Sequence, residues 1–289
     1  AVDDLILAKD LLNGKSYYPS FFADAITYTV VLSNLGHYYT NNLEDYEKSL
    51  TVLNELIDFD PEFAYGWAQR GMVYVELDEF RLGLEDIEKA KSFGPLTNYA
   101  DKIFYYSGVA LFELGELELG NFDYDKSHYF QAIGEFNKAE AVLTGESGID
   151  INDIRNQRGW TNLRLQKLSE AESDLVQVTE DSGLYESALN ALGSIHRKQL
   201  KYDLALKSYD ELIRMAPFEN TYYSNRGNVH YEKEDYMSAL RDYDKAIELG
   251  SDWPPTFYNR GIILEYELNE YTAASKDYAE ACRLDRNYC

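Results

Sequence analysis

The sequence is poor in the residues that mark several protein classes. Of its 289 residues, only 2 are Cys, 6 are Pro and 4 are His. Two cysteines do not make the disulfide framework of a small secreted domain. No run of 18 apolar residues occurs, so no membrane-spanning helix is predicted. We expect Cys282 to be packed among apolar helix residues and Cys289 to be an exposed thiol.

Basic residues are also few, with 27 Lys and Arg against 51 Asp and Glu and a formal charge of −24. A chain of this charge repels phosphate, which argues against nucleic-acid binding and against docking on anionic membranes. Residues 1–150 carry 10 basic and 27 acidic groups, whereas residues 151–289 carry 17 and 24. A basic protein partner would therefore meet the first half more readily, although solubility explains the same charge.

The residue patterns of common catalytic and metal sites are missing. The four histidines, at positions 37, 128, 196 and 230, form no His-x-x-x-His motif, and no Cys-x-x-Cys occurs, so no metal site is predicted. No phosphate-binding loop of the GxxxxGK[ST] type is present. We therefore expect no catalytic residues and no cofactor, and interpret the chain as a protein that is not an enzyme.

What the sequence does contain is tyrosine, with 26 residues, and an internal repeat. Seven glycines recur in a common sequence context, separated by 35, 37, 51, 34, 34 and 34 residues. A period of this size is typical of a solenoid in which each repeat packs on its neighbours. These marker glycines are Gly36, Gly71, Gly108, Gly159, Gly193, Gly227 and Gly261.

Each repeat reads as two helices. The first contains the marker glycine, as in Trp67-Ala-Gln-Arg-Gly71-Met-Val-Tyr74, with large residues at helical spacing. The second alternates large and small residues, as in Tyr236…Ala239…Tyr243…Ala246. Small residues let two helices approach closely and aromatic residues fill the space between layers, so we interpret most of the tyrosine as architectural.

This pattern resembles the tetratricopeptide repeat family over roughly residues 28–286. The resemblance implies an all-α fold, a right-handed superhelical solenoid of about seven helix-turn-helix repeats with a concave inner face. We expect one solenoid over residues 1–289, with an N-terminal capping helix and lead-in at 1–27. The expected repeats are 28–63, 64–100, 101–151, 152–185, 186–219, 220–253 and 254–289.

The third repeat is longer than the others, with an insertion near residues 113–128 where Leu-Gly occurs twice, at positions 114–115 and 119–120. Either both of its helices are longer by more than a turn, or a loop bulges out. Insertions in solenoids are often binding sites, although a tolerated surface insertion is equally simple.

Arginines directly precede four of the marker glycines, and each of those repeats has an aspartate at one position of its second helix. The pairs are Arg70 with Asp86, Arg158 with Asp174, Arg226 with Asp242 and Arg260 with Asp277. Repeats without the arginine mostly lack the aspartate, as in Leu192 with Ser208. This co-occurrence predicts an ion pair between the two helices of a repeat, so these arginines are not counted as ligand residues.

The family resemblance places the working surface on first-helix residues of the concave face. Asparagines recur there, and amide groups can grip an extended peptide backbone because they both donate and accept hydrogen bonds. Tyrosine and tryptophan beside them add contact area. The candidate partner-binding residues are Asn156, Trp160, Asn190, Arg197, Asn225, Asn228, Tyr231, Tyr258 and Asn259.

The predicted function is a non-catalytic protein–protein interaction scaffold that binds a peptide segment or helix in its concave groove. Co-chaperone members of the family hold the C-terminal carboxylate of Hsp70 or Hsp90 with lysines and asparagines. Here Ser194 and Pro255 stand near where basic clamp groups would be needed, so that specificity is not expected.

The alternative function is a structural subunit of a larger or self-associated assembly, such as a bacterial cell-envelope protein. Solenoids normally end in a polar capping helix, and none follows the last repeat here. The apolar side of the helix that carries Tyr278, Ala281 and Leu284 would then serve self-association through the C-terminal repeat, bind a partner, or contact more of a longer protein.

Overall fold

The computed structural model describes residues 5–7, 9, 21–94, 96–119, 126–144 and 148–289, with the backbone alone for residues 21–27 and 98. Every regular element in these ranges is helical, which confirms the all-α class. None of the described helices is both long enough and apolar enough to cross a membrane. The chain divides into two compact units, residues 1–161 and 162–289, with the division inside one helix.

The first unit contains three consecutive helix pairs, which we number as repeats one to three. A short 3₁₀ turn, Thr97–Tyr99, precedes the third pair. The helices are α1 (Phe21–Asn41), α2 (Tyr46–Phe59), α3 (Ala64–Glu76), α4 (Phe80–Ser92), α5 (Ala100–Leu117) and α6 (Ser127–Val142); α7 (Ile151–Arg164) follows and crosses into the second unit.

The second unit contains the second helix of repeat four and the whole of repeats five, six and seven. Helix α8 has 8 residues, against 14, 13 and 14 for the second helices of the three repeats that follow. The helices are α8 (Leu168–Leu175), α9 (Tyr185–Lys198), α10 (Tyr202–Met215), α11 (Asn220–Glu232), α12 (Tyr236–Glu248), α13 (Pro254–Tyr266) and α14 (Tyr271–Leu284).

The marker glycines allow an aromatic ring to lie directly on the partner helix. A Cβ atom at Gly193 would be 2.6 Å from the Tyr209 ring, and one at Gly227 would be 2.8 Å from the Tyr243 ring. Real Cβ atoms are not found that close, so any larger residue would push the two helices apart. Both tyrosines are buried. The tyrosine content is thus tied to the repeat, as the sequence predicted.

Repeat three is extended by lengthening both of its helices. Helix α5 has 18 residues and α6 has 16, whereas α3 and α4 have 13 each. A Cβ atom at Gly108 would clash with Phe136, and one at Gly115 would clash with Tyr129. The second contact repeats the first seven residues further along each helix, so the insertion adds two helical turns to an antiparallel pair. Residues 120–125 of the predicted insertion lie outside the described part of the chain.

The N-terminal capping prediction falls on residues of which few are described. Residues 5–7 and 9 are helical, Leu5 packs against the core of repeat one, and Lys9 Nζ lies 2.6 Å from Glu55 Oε2 of α2. These contacts are those of a cap, while the remainder of residues 1–20 lies outside the described ranges. Helix α1 begins at Phe21, before the predicted repeat boundary at residue 28.

The prediction that the two cysteines are unpaired is wrong. Cys282 and Cys289 form a disulfide, with their Cα atoms 4.7 Å apart. Helix α14 ends at Leu284, and Asp285 has an extended backbone whose carboxylate accepts a hydrogen bond from the Asn287 backbone N–H. The 3₁₀ turn Arg286–Tyr288 then brings residue 289 back to the last turn of the helix.

Candidate functional site

The arginine before the marker glycine joins the two helices of a repeat. Arg226 donates from Nε to Asp242 Oδ2 at 2.8 Å and from Nη2 to Oδ1 at 2.6 Å. Asp242 is only 5% exposed, so this ion pair is shielded from water on its anionic side. Its hydrogen bonds raise the pKa of Arg226 above the ordinary value. The same contact, confirming the prediction, joins Arg70 to Asp86 and Arg260 to Asp277.

The same arginines also reach back to the preceding repeat, which the sequence analysis did not predict. Arg226 Nη1 donates to Asp210 Oδ1 of α10 at 2.7 Å, and Arg260 Nη1 donates to Asp244 Oδ1 of α12 at 2.7 Å. Arg70 Nη1 meets Asn54 in the same way. In each case the acceptor lies 16 residues before the arginine, a spacing that was readable in the sequence. Each guanidinium therefore ties together two consecutive repeats.

The fourth predicted pair, Arg158 with Asp174, is divided between the two units and stays a prediction. Within the first unit, Arg158 Nη1 donates to Asn137 Oδ1 at 2.8 Å and to Glu140 Oε2 at 2.6 Å. Asn137 is 21 residues before the arginine because the connection from α6 to α7 is five residues longer than usual. Arg158 therefore makes the backward contact too.

Repeat three builds an equivalent link from different residues. Ser107 stands in place of the arginine, and Lys91, 16 residues earlier, supplies the cation. Lys91 Nζ lies 3.2 Å from Ser107 Oγ and 2.8 Å from Glu135 Oε2. Burial raises the pKa of Glu135, but its contacts with Lys138 and Lys91 outweigh burial and leave the pKa below its ordinary value. The charge has moved to the neighbouring helix, and the link between repeats remains.

Repeat five has neither form of the link. Leu192 replaces the arginine, Val176 stands 16 residues before it and Ser208 stands 16 residues after it. A cleft of about 850 Å³ lies at this point, lined by all three residues together with others of α9 and α10. An apolar cleft thus occupies the place that an ion pair fills in repeats six and seven.

The candidate binding residues of the second unit lie on the first helices α9, α11 and α13. Asn225 Nδ2 donates to Asn190 Oδ1 at 3.3 Å, which links α11 to α9. Asn259 Nδ2 donates to Asn228 Oδ1 at 3.0 Å, which links α13 to α11. The amides therefore form cross-helix pairs. We call the surface made by Asn190, Arg197, Asn225, Asn228, Tyr231, Tyr258 and Asn259 the amide–tyrosine face.

The members of the amide–tyrosine face differ in exposure. Asn228 is 7% exposed, and its Oδ1 also accepts a hydrogen bond from the buried Tyr243 hydroxyl at 2.8 Å. Tyr258 is 37% exposed, and its ring contacts those of Tyr278 and Tyr288. Asn228 is therefore placed to hold Asn259 in position, while Tyr258 presents surface to a ligand.

Two more members are held by side chains of the same unit. Arg197 of α9 forms an ion pair with Glu232 of α11, and the Tyr231 ring lies 5.8 Å from the Tyr236 ring. The contact between Arg197 and Glu232 adds a charged link between the first helices of repeats five and six. A ligand that engages Arg197 would have to share or displace Glu232.

The remaining two candidates, Asn156 and Trp160, belong to the first unit. Both lie on α7, four residues apart and hence on one side of that helix. Asn156 is buried, and its Oδ1 has no hydrogen-bond partner among the described residues. The structure does not bring these two together with the amide–tyrosine face into one described site.

Comparison with known proteins decides the family. The sequence profile of the tetratricopeptide repeat matches residues 156–220 and 190–254, the part of the chain with the regular 34-residue period. This chain is a tetratricopeptide-repeat protein. A curated tetratricopeptide relative, the Hsp70-Hsp90 organizing protein of Triticum aestivum, is 27% identical over 224 residues. That match covers 76% of this chain and 35% of the relative, so the chain spans about a third of the relative's length.

Solved tetratricopeptide structures have the same fold. The C-terminal part of a repeat protein from Cytophaga hutchinsonii has a TM-score of 0.62 at 19% identity, covering 88% of this chain and 95% of that one. YrrB, a protein described as having an unusual peptide-binding site, has a TM-score of 0.55 at 20% identity, covering 71% and 95%. The Cut9–Hcn1 hetero-tetramer of the APC/C has a TM-score of 0.57 at 14% identity, covering 99% and 50%.

Proposed function

We propose that this protein is an interaction scaffold whose second unit binds an extended peptide segment along the amide–tyrosine face. Proteins with this fold are typically non-enzymatic scaffolds, and one structural relative has a peptide-binding site. The observation that carries the proposal is the pairing of Asn225 with Asn190 and of Asn259 with Asn228. Each pair fixes its amides in one orientation before any ligand arrives.

The fixed amides retain hydrogen-bonding capacity for a ligand. An asparagine side chain has two N–H donors and an oxygen with two acceptor sites. The printed contact of Asn225 uses one donor, and that of Asn259 likewise uses one. The unused donors and acceptors match the alternating N–H and C=O groups of an extended backbone, and Tyr258 supplies contact area beside them.

The identity of the partner is not that of the curated relative. Recognition of an Hsp70 or Hsp90 tail needs basic groups around the carboxylate, and this chain has Ser194 and Pro255 near those positions. The proposed segment is therefore bound along its backbone and not by its C-terminal carboxylate.

Capture from native lysate with mass spectrometry tests the proposal. The wild type would be compared with the triple variant Asn225→Ala/Tyr258→Ala/Asn259→Ala. A matched control is Met237→Ala/Arg241→Ala/Lys276→Ala, which changes three exposed side chains on second helices of the same two repeats. Circular dichroism would first establish that all three proteins are equally folded. We expect the wild type and the control to retain the same partner and the triple variant to lose it.

Retention of that partner by the triple variant would contradict the proposal. Sedimentation over a range of protein concentrations addresses the alternative, a self-associating subunit that uses the C-terminal repeat. In the structure, part of that end is already occupied, because the disulfide-bonded segment holds Tyr288 against Tyr258. A mass that rises with concentration in the wild type would favour the alternative.

A further inference from the structure

The repeat-five cleft, lined by Leu175, Val176, Val178, Leu189, Leu192 and Leu204, lies away from the amide–tyrosine face. Its base is the side of α9 that carries Leu189 and Leu192, and its walls are the end of α8 and the helix α10. Val176 is 65% exposed and Leu204 is 46% exposed, so apolar surface is open to solvent along both walls. No residue of the amide–tyrosine face lines this cleft.

The shape of the cleft follows from the early end of α8. In repeat five, the second helix continues for five residues beyond Asp210, to Met215. In repeat four, the equivalent position is Val176, and α8 has already ended at Leu175. Five helical residues are about 8 Å of helix. The cleft is therefore open where the last turn and a half of a regular second helix would lie.

The sequence after α8 explains why the helix stops. Residues 176–184 read Val-Gln-Val-Thr-Glu-Asp-Ser-Gly-Leu, which combines β-branched residues with a cluster of turn formers. Val178 is nevertheless buried, in the position where the repeat pattern has its second alanine. The chain thus closes the core at one point and leaves the outer part of the layer empty.

The charges around the opening favour a basic occupant. Glu180, Asp203, Asp210 and Glu211 line the cleft with the cations Lys207 and Arg214. In repeat six the corresponding point holds the guanidinium of Arg226, whereas here Leu192 leaves it without a cation. A helix with an apolar stripe and basic flanks would meet both the apolar walls and the surplus of carboxylates.

We propose that the repeat-five cleft docks a short amphipathic α-helix of a basic partner protein. The helix takes the place of the missing end of α8 and inserts apolar side chains against Leu189 and Leu192. Its basic side chains face the carboxylates at the rim. This surface is separate from the amide–tyrosine face, so the proposal does not depend on the function proposed above.

The test uses fluorescence anisotropy of a labelled synthetic helix of about fourteen residues, with leucines on one side and lysines on the other. A second probe carries glutamates in place of the lysines. Both are titrated with the full chain and with Leu192→Arg/Ser208→Asp, which rebuilds the arginine–aspartate link of repeat six inside the cleft. We expect the basic probe to bind the wild type at least tenfold more tightly than it binds this variant.

A surface substitution keeps the test decisive if the rebuilt variant does not fold. Leu204→Lys adds a cation to the exposed wall of the cleft without touching the core, and Met237→Lys makes the same kind of change on an exposed apolar residue of α12. We expect a tenfold loss of affinity for Leu204→Lys and none for Met237→Lys. Hydrogen exchange of the complex should show protection in residues 185–196 and 203–211.

Three results would overturn the proposal. The first is equal affinity of the basic probe for the wild type, the cleft variants and Met237→Lys. The second is binding of the glutamate probe as tightly as the lysine probe. The third is concentration-dependent dimerisation of the wild type that Leu204→Lys abolishes, because the occupant would then be a second copy of this chain.

Discussion

Repeats five and six have the same helix pair and the same buried tyrosine, yet they are joined to the preceding repeat in different ways. In repeat six, Arg226 lies between Asp210 of the preceding repeat and Asp242 of its own. In repeat five, Leu192 lies beside Val176 and Ser208, and a cleft remains. The difference shows that the glycine–tyrosine contact fixes the pair, whereas the residue before the glycine decides how the outer surface between repeats is filled.

The largest expected effect is the removal of the ion pair in repeat six. Arg226→Ala leaves Asp242 buried without its cation, and breaking a shielded pair in this way costs about 2–3 kcal/mol of unfolding free energy. Lys276→Ala, at an exposed position of α14, is the control and should change stability by less than about 0.5 kcal/mol. Urea denaturation of both variants measures the difference. Equal midpoints would show that the link contributes nothing.

A smaller effect is expected from His230, which follows Arg226 by one helical turn. Burial lowers its pKa below the ordinary 6.5, although Asp242, Asp235 and Asp210 oppose the shift and Arg226 adds to it. The unfolded chain therefore takes up the proton first, so His230 costs stability as the pH falls through and below 6.5. We expect His230→Tyr, which copies Tyr74 of repeat two, to lose less stability than the wild type between about pH 8 and about pH 5.

Thermal unfolding at a series of pH values would check the His230 prediction. Other acidic groups titrate in both proteins, so the informative quantity is the difference between the two stability profiles. A constant difference across the whole range would contradict the prediction.

The smallest effect concerns the turns between the helices of repeats five and seven. Leu200 has a φ angle of 60° and Asn269 has 55°, in the left-handed region that asparagine tolerates better than leucine. Leu200 is also exposed. We expect Leu200→Asn to raise the free energy of unfolding by about 0.5 kcal/mol and Asn269→Leu to lower it by about as much. Melting temperatures that move in the same direction for the two exchanges would refute this reasoning.

The regular features of the fold were predictable from the sequence because each one recurs. The marker glycines, the helix pairs and the arginine–aspartate pairs within repeats six and seven all follow from residues that repeat at a fixed spacing. The backward contact to Asp210 and Asp244 obeys the same spacing. It was missed because the pattern was compared only within one repeat and not across the boundary between two.

The irregular features could not be read in the same way. The early end of α8 depends on competition between a buried position for Val178 and the turn formers that follow it. The Cys282–Cys289 disulfide depends on the backbone direction at Asp285. For the candidate site, the sequence predicted which side chains share a helix face. It did not reveal that Asn190 and Asn225 bond to each other, since hydrogen-bond partners on different helices depend on the final distance between those helices.

The arginine links have a consequence for how such a chain can change in length. Each arginine of repeats six and seven needs a carboxylate 16 residues before it and another 16 or 17 residues after it. A tandem duplication of residues 220–253 would supply both acceptors to the new copy and return the original ones to Arg260. Whole units can therefore be added at this point with every guanidinium still satisfied. Deletion of repeat five would instead place Arg226 opposite Val176, so tolerance of copy-number change is confined to one stretch of the array.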